Sequence, residues 1–541
     1  MAGAAFAQPA QLVVVAEDIP AGLDYDGPSA TLATSQTGFL NMMEPLLYYP
    51  YGPSEDGVRR LDFTRHEPRL AERWAFDPLS LTWTLHLRHG VKSCAGNEFT
   101  ADDVLYSFAR AKSVSGAVPI GWFLGSVAGI RGFTRDVFKP RADRTLGDAV
   151  TKLDDYTVSI RQSAANRLLP AVLAAYGTAP FDSKAMRAHA TAADPWSHAW
   201  ADTVDNPSFG PYCLERWVRN DEFVLRANPA YYRGPPAIGR VVVKRMPHGA
   251  SRAQALRAGT ADLAQGLTRR ELAALADAPN VAVAGLYGNE TLFLNLNFKA
   301  PPFDNPAMRQ AVAYAMPYQQ VAAIGYGGGA RRWQGHFPRA FSGPAPPEPQ
   351  YATDPARAKQ LLADAGYPGG RGLEAFPASF RLAYPAERER TLGPIAAAIR
   401  AALRDAGLPV ELDPLPQAQW GDRRLVKKDL PMSLSDTEKS VVPDLTYATM
   451  LFFVSPGEGG VNNMANYSDP TLDRLFALAR NEMDDAALPA LLQDIQNILQ
   501  RELAWIPILE TKTEWASRPT LRGITWHPDN ALRFHDLGFA P

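Results

Sequence analysis

Apolar and polar positions alternate most clearly between Leu70 and Leu87. Trp74 and Phe76 come first, then Leu81, Trp83, Leu85 and Leu87, with Thr82, Thr84 and His86 between the last four. A period of two predicts two half-buried strands joined by a turn at Asp77-Pro78-Leu79-Ser80. Gly90 closes the second strand and Gly96-Asn97 bends the chain. Thr100 then stands where a helix N-cap belongs, with Asp102 and Asp103 in the first turn and Val104, Leu105 and Phe108 on one face.

The rest of the chain reads as mixed α and β. Leu12–Ala16 is a β-branched run expected to be a buried strand, Gly38–Leu47 reads as a helix, and Lys152–Ile160 as one strand. Ala250–Gly259 reads as a helix capped by its glycine. From Glu271 onward the pattern becomes α/β alternation. Thr291–Asn297 is a strand with Leu292, Leu294 and Leu296 on its apolar face, and a helix enters at Asn305-Pro306. Asp354–Ala365 is an amphipathic helix, a helix over 391–406 separates the strands Phe380–Tyr384 and Val410–Leu415, and 430–453 reads as a strand, a polar loop and an apolar helix. Two amphipathic helices, 469–485 and 486–502, precede short strands at 506–510 and 521–526. Gly325–Ala330 is glycine-rich but follows a helix and lacks GK[ST], which favours a C-cap over a phosphate loop.

A chain of 541 residues exceeds one ordinary core, so two or three domains are expected. A net charge of -2 gives no electrostatic case for nucleic acid or an anionic membrane. No run reaches the roughly 18 to 20 apolar residues a spanning helix needs. The start, "MAGAAFAQPAQ", places small residues at Ala5 and Ala7 around Phe6 in the manner of a signal-peptidase site, without a full apolar region before it. It is read as a truncated signal peptide with a mature chain from about Gln8, which implies export. The two cysteines, Cys94 and Cys213, are open to two readings: one disulfide in an exported protein, or two thiols in a cytosolic one.

The nine histidines are dispersed, with no HExxH or His/Cys cluster, and GxSxG is absent. No cofactor or metal site is therefore expected. Tyr25, Asp26 and Glu44, in the loops that follow the first strand, are candidates for a binding cleft. So are the aromatic residues Trp122, Tyr287, Trp333, Tyr384 and Trp420 in or beside predicted loops.

Several stretches together resemble the family-5 solute-binding proteins of ABC importers, which take oligopeptides, dipeptides or nickel. They are Leu70–Ala111, "GPYCLERWVRNDEFVLRANPAYYRGPPAIGRVVV", "ALRAGTADLA", "LFLNLNFKAPPFDNPAMRQAVAYAM", "NYSDPTLDRLFALAR" and "WIPILE". The resemblance implies an α/β, two-lobed periplasmic-binding-protein-like fold with a hinge and a small domain inserted in lobe I. Lobe I would begin at 8–49, carry the insertion at 50–180 and continue over 181–265. Lobe II would span 266–500, and 501–541 would return to lobe I. The function implied is capture of a small organic or peptide-like solute by an exported, periplasmic monomer. It would deliver that solute to a membrane permease with its ATPase, without catalysis and without nucleic acid. The alternatives are an exported hydrolase using a carboxylate pair and a periplasmic ligand sensor on the same scaffold.

Carried over residue by residue, the resemblance puts Tyr384 of "AYPAERER" and Trp420 of "AQWGD" on pocket positions of dipeptide binders. Leu382 stands where those proteins hold the ligand carboxylate with arginine. Lys439 stands at the place of the aspartate that takes the amino group, with Asp436 and Glu438 nearby as substitutes. With Tyr25 and Trp122 added from the loop and aromatic reading, the ligand-binding set is Tyr25, Trp122, Tyr384, Trp420, Asp436, Glu438 and Lys439. Lys439 would favour an anionic or acylated ligand. A Cys94–Cys213 disulfide would tie the inserted domain to lobe I.

Overall fold

The computed structural model describes residues 10–27, 29–30, 32–113, 120–133, 145–327, 329–341, 343–348, 350–436, 438–458, 460 and 462–540. These fall into two compact units, Met1–Leu286 with Glu514–Pro541, and Tyr287–Thr513. The chain passes between them inside two long strands, Ala282–Leu296 and Trp505–Ser517.

In the first unit, the strands Tyr212–Val218, Glu222–Ala227, Ile238–Arg245, Ala10–Ala16 and Leu263–Ala264 follow one another, and the end of Trp505–Ser517 pairs with the last. Ala10–Ala16 is parallel to both of its neighbours, and strands buried on both faces need the continuous apolar run that "LVVVA" supplies. Val15, Leu256, Ala261, Leu272 and Leu275 form a core between the sheet and the helices Gly249–Arg257 and Arg269–Leu275.

A second sheet in this unit orders Ala71–Asp77, Thr82–Leu87, Thr157–Arg161 and Val150–Asp154, all antiparallel. Trp83, Leu85 and Leu87 are buried while the turn residue Leu79 is almost wholly exposed, so period-two alternation sets the face. The helix Ala101–Ala111 starts at Thr100 with a reciprocal capping box: the Thr100 side chain accepts from the Asp103 amide, and Asp103 Oδ2 accepts from the Thr100 amide at 2.8 Å. Cys94 and Cys213 form a disulfide, Sγ–Sγ 2.06 Å.

Two elements differ from the sequence reading. Lys152–Ile160 is a hairpin, because Asp154 Oδ1 accepts from the Tyr156 amide at 2.8 Å and turns the chain. Gly38–Leu47 is not one helix: the helix is Ala33–Met42, Met43 is already extended, and Leu47–Tyr48 is a strand. Pro45 disfavours helical backbone at Glu44, which ends the helix early.

The second unit's sheet runs Trp505–Ser517, Ala282–Leu296, Met432–Ser435, Arg381–Pro385 and Glu411–Leu415, with Ala330–Arg332 on the outer side of the first. Arg381–Pro385 is parallel to both neighbours, as βα alternation requires. Leu292, Leu294, Leu296, Leu382, Tyr384, Met432 and Leu434 line one face and pack against the helices Pro306–Ala315, Pro355–Asp364 and Glu389–Ala406. Gly327, at φ 47°, caps the helix Tyr318–Tyr326 in the left-handed conformation that glycine tolerates. No helix among the described residues is long and apolar enough to cross a membrane.

Candidate functional site

Strand alternation gives the second unit's sheet a second face of different character. Between Leu382 and Tyr384, Ala383 points the other way and packs with Leu415, Trp420 and Leu430. Phe293 and Asn295 alternate with the core leucines of their strand, as Ser433 and Ser435 do with Met432 and Leu434. Asn295 lies opposite Ser433, and Phe293 opposite Ser435. Phe293 stacks on Trp505 at 3.7 Å, and Phe452 and Phe453 of the helix Leu445–Phe453 meet the same indole at 4.6 and 4.9 Å.

This face holds buried polar atoms that no other protein group satisfies: both amide atoms of Asn295, Ser435 Oγ, Trp420 Nε1 and Trp505 Nε1. Thr446 Oγ1, on the covering helix, is a further one. Buried polar groups in folded proteins are nearly always hydrogen-bonded, and leaving one unpaired costs about 1–3 kcal/mol. Such a concentration leaves donors and acceptors on one face that a polar ligand or ordered water could meet.

Charged side chains stand beside it. Arg388 donates to Asp436 Oδ2, and the Tyr326 hydroxyl donates to the same oxygen at 3.4 Å. Asp436 Oδ1 and Arg388 Nε keep no protein partner. Burial and then the Asp436 charge push the Tyr326 phenol well above its ordinary range. Burial works against the Arg388 charge, but Asp436 outweighs it and the guanidinium is held more firmly protonated. Four residues along a helical turn from Trp420, Arg424 lays its guanidinium 3.9 Å over the indole and pairs with Glu438. Lys439 is half-buried in the same loop, and Asn289 Nδ2 donates to the Ser440 carbonyl at 2.5 Å.

The sequence candidates separate accordingly. Trp420, Asp436, Glu438 and Lys439 are brought together. Tyr384 shares the helix-facing side of its strand with Leu382 and not the side of Trp420, and its hydroxyl is pushed up to about 12 by burial and by its bond to Glu389. Tyr25 lies in the first unit's core, donating to the Ala179 carbonyl at 2.6 Å and stacking on Phe181 at 4.4 Å. Trp122 ends the short helix Ile120–Trp122, and its side chain lies outside the described residues. Trp333 is buried with its indole N–H on the Phe337 carbonyl at 3.1 Å, and Tyr287 carries the Arg331 guanidinium 4.3 Å from its ring. Asp26 is bound to Arg110, and Glu44 accepts from Tyr231 and Tyr232, both at 2.8 Å. Arg388, Arg424, Tyr326 and Asn295 were missed by sequence reasoning. Only Arg424 left a legible signal, its helical spacing from Trp420. Among the described residues no group of three or more His, Cys, Asp or Glu is placed to hold a metal ion.

Comparison with known proteins places this architecture. The chain is 26% identical over 477 residues to heme-binding protein A of Haemophilus influenzae, covering 85% of this chain and 82% of that protein. It is 26% identical over 493 residues to di/tripeptide-binding protein 2 of Pseudomonas aeruginosa, covering 86% and 85%. Its fold matches the ABC transporter-associated periplasmic binding protein DppA of Helicobacter pylori, solved in complex with the peptide STSA, with a TM-score of 0.77, 22% identity and 98% of each chain covered. The sequence profile of the bacterial extracellular solute-binding proteins, family 5 (middle region), matches residues 65–459, and the chain belongs to that family.

Proposed function

We propose that this protein is the substrate-binding component of an ABC-type importer, capturing a small organic, peptide-like solute and passing it unchanged to a membrane permease served by an ATPase. The observation that carries the reading is the face bearing Asn295, Ser435 and Trp420, whose buried polar atoms have no protein partner. Trp420, Asp436, Glu438 and Lys439 contribute ligand contacts, joined by Arg388, while Tyr384 supports the sheet from its helix-facing side. Lys439 biases the site toward an anionic or acylated ligand. The protein acts outside the cytoplasm, as the family does.

Native mass spectrometry of protein purified without denaturation, followed by uptake assays in a strain lacking it, tests this. A copurifying organic solute, and loss of uptake of that solute on deletion, are expected. Turnover of the bound compound, or unchanged uptake, would count against capture and delivery. For Lys439, tight binding of an ordinary zwitterionic dipeptide that Lys439→Ala leaves unaffected would remove its assigned role.

A further inference from the structure

The unpartnered atoms beside Trp505 are all neutral. Asn295 is 1% exposed, on a central strand, and presents both an N–H donor and a carbonyl acceptor to no protein group. Register puts it on the same face as Ser433, Ser435 and Phe293, and Phe293 stacks on Trp505. Asn295 and Ser435 therefore lie on the sheet face that Phe293 and Trp505 wall with aromatic surface, and they offer it neutral donors and acceptors. Arg388 pairs with Asp436 and Arg424 with Glu438, so each of these charges already has an opposite charge beside it.

A buried carboxamide with both ends unmet disfavours the ligand-free protein and is complementary to one kind of group, a neutral one offering an acceptor and a donor together. A charged ligand group would be desolvated there without an opposite charge, and an aliphatic one would leave the amide unmet. We propose that Asn295 is a specificity-determining residue that reads a neutral carboxamide or hydroxyl-bearing side group of the ligand, with Ser435 assisting. This inference rests on the face being part of the ligand site. Selectivity of this type is strong because an analogue lacking the polar group leaves the site's own atoms unpaired.

Isothermal titration of the protein against N-acetylated X-Ala and Ala-X dipeptides, and N-acetylated tripeptides containing X, with X as Asn, Gln, Leu or Met, tests it. The amide-bearing members are expected to bind roughly tenfold to a hundredfold tighter than the aliphatic ones. Asn295→Leu should erase that difference and raise the melting temperature of the ligand-free protein, since an apolar group replaces an unmet polar one. Ser435→Ala should reduce the preference less, and it gives the same reading should Asn295→Leu not fold. Equal binding of Gln and Met members by the native protein, or a preference that survives both substitutions, would overturn the role of Asn295 alone. Failure of the native protein to bind any member would overturn the peptide-like reading of the whole site, and this inference with it.

Discussion

Arg110 closes a two-point bond on Asp24, Nη2–Oδ2 2.6 Å and Nη1–Oδ1 2.9 Å, with neither side chain exposing any surface. The same guanidinium reaches Asp26 Oδ2 at 2.7 Å, and His198 Nδ1 lies 3.0 Å from Asp24. One residue of the capped helix thus anchors the loop that follows the first strand. Removing the cation leaves two carboxylates in the interior, so Arg110→Met is expected to cost about 3–5 kcal/mol. Arg110→Lys should recover little, because an ammonium cannot reproduce the planar fork. Urea unfolding read on the first unit's transition measures both; near-native stability of Arg110→Met would show that the loop is held by something else.

Asp26 should make stability fall as pH rises. Burial raises its carboxyl most, the Arg110 charge opposes that, and the Asp24 charge adds to the rise, leaving it at about 7 against an ordinary value of 3.8. A carboxyl whose folded value lies above its unfolded one retains protons on folding. Its contribution is full below about pH 4 and declines as pH climbs to 7, by at most about 1.4 kcal/mol per pH unit. Asp26→Asn keeps the acceptor for Arg110 and removes the titration. The variant should therefore gain on the native protein between pH 4 and 7, and parallel stability curves across that range would contradict the assignment.

What the sequence carried, and what it did not, follows from the range of the interactions concerned. Trp83, Leu85, Leu87 and Thr100 announce their structure locally, through alternation and a capping position, and the hairpin and helix formed as read. The turn inside Lys152–Ile160 was equally local, but Asp154 looked like one more polar strand position. Arg388 is not legible because the resemblance places the cation two residues before Tyr384, on the strand. Here Pro385 ends the strand and a single turn, Ala386–Arg388, swings a cation to Asp436, 48 residues away in sequence. Asn295 was hidden for a related reason. The alternation of its strand announces the leucine face, and only the pairing with Met432–Ser435 shows what the other face meets.

The disulfide closes a sequence separation of 119 residues between the bend at Cys94 and the strand carrying Cys213. A loop of that length loses much entropy in the unfolded chain when cross-linked, and losing a native disulfide typically costs about 2–5 kcal/mol. Replacing both cysteines with serine should lower the first unit's unfolding midpoint in urea by a corresponding amount. Titration of thiols in unreduced, denatured native protein should find none; two reactive thiols would mean that the purified protein lacks the bond.

Arg388 and Asp436 should behave as a coupled pair. The Asp436 side chain is 4% exposed and that of Arg388 42%, so water screens one partner far more than the other. Arg388→Met strands a carboxylate in the interior, whereas Asp436→Asn leaves a cation that solvent can reach. The first substitution is therefore expected to be the more destabilising, by about 1–2 kcal/mol after allowance for screening. The double variant, lacking both charges, should be more stable than Arg388→Met alone, with a coupling energy of about 0.5–3 kcal/mol. Denaturant unfolding of the four proteins completes the cycle. Strict additivity would mean that the two side chains do not interact in solution, and that each is free to meet a ligand charge of its own.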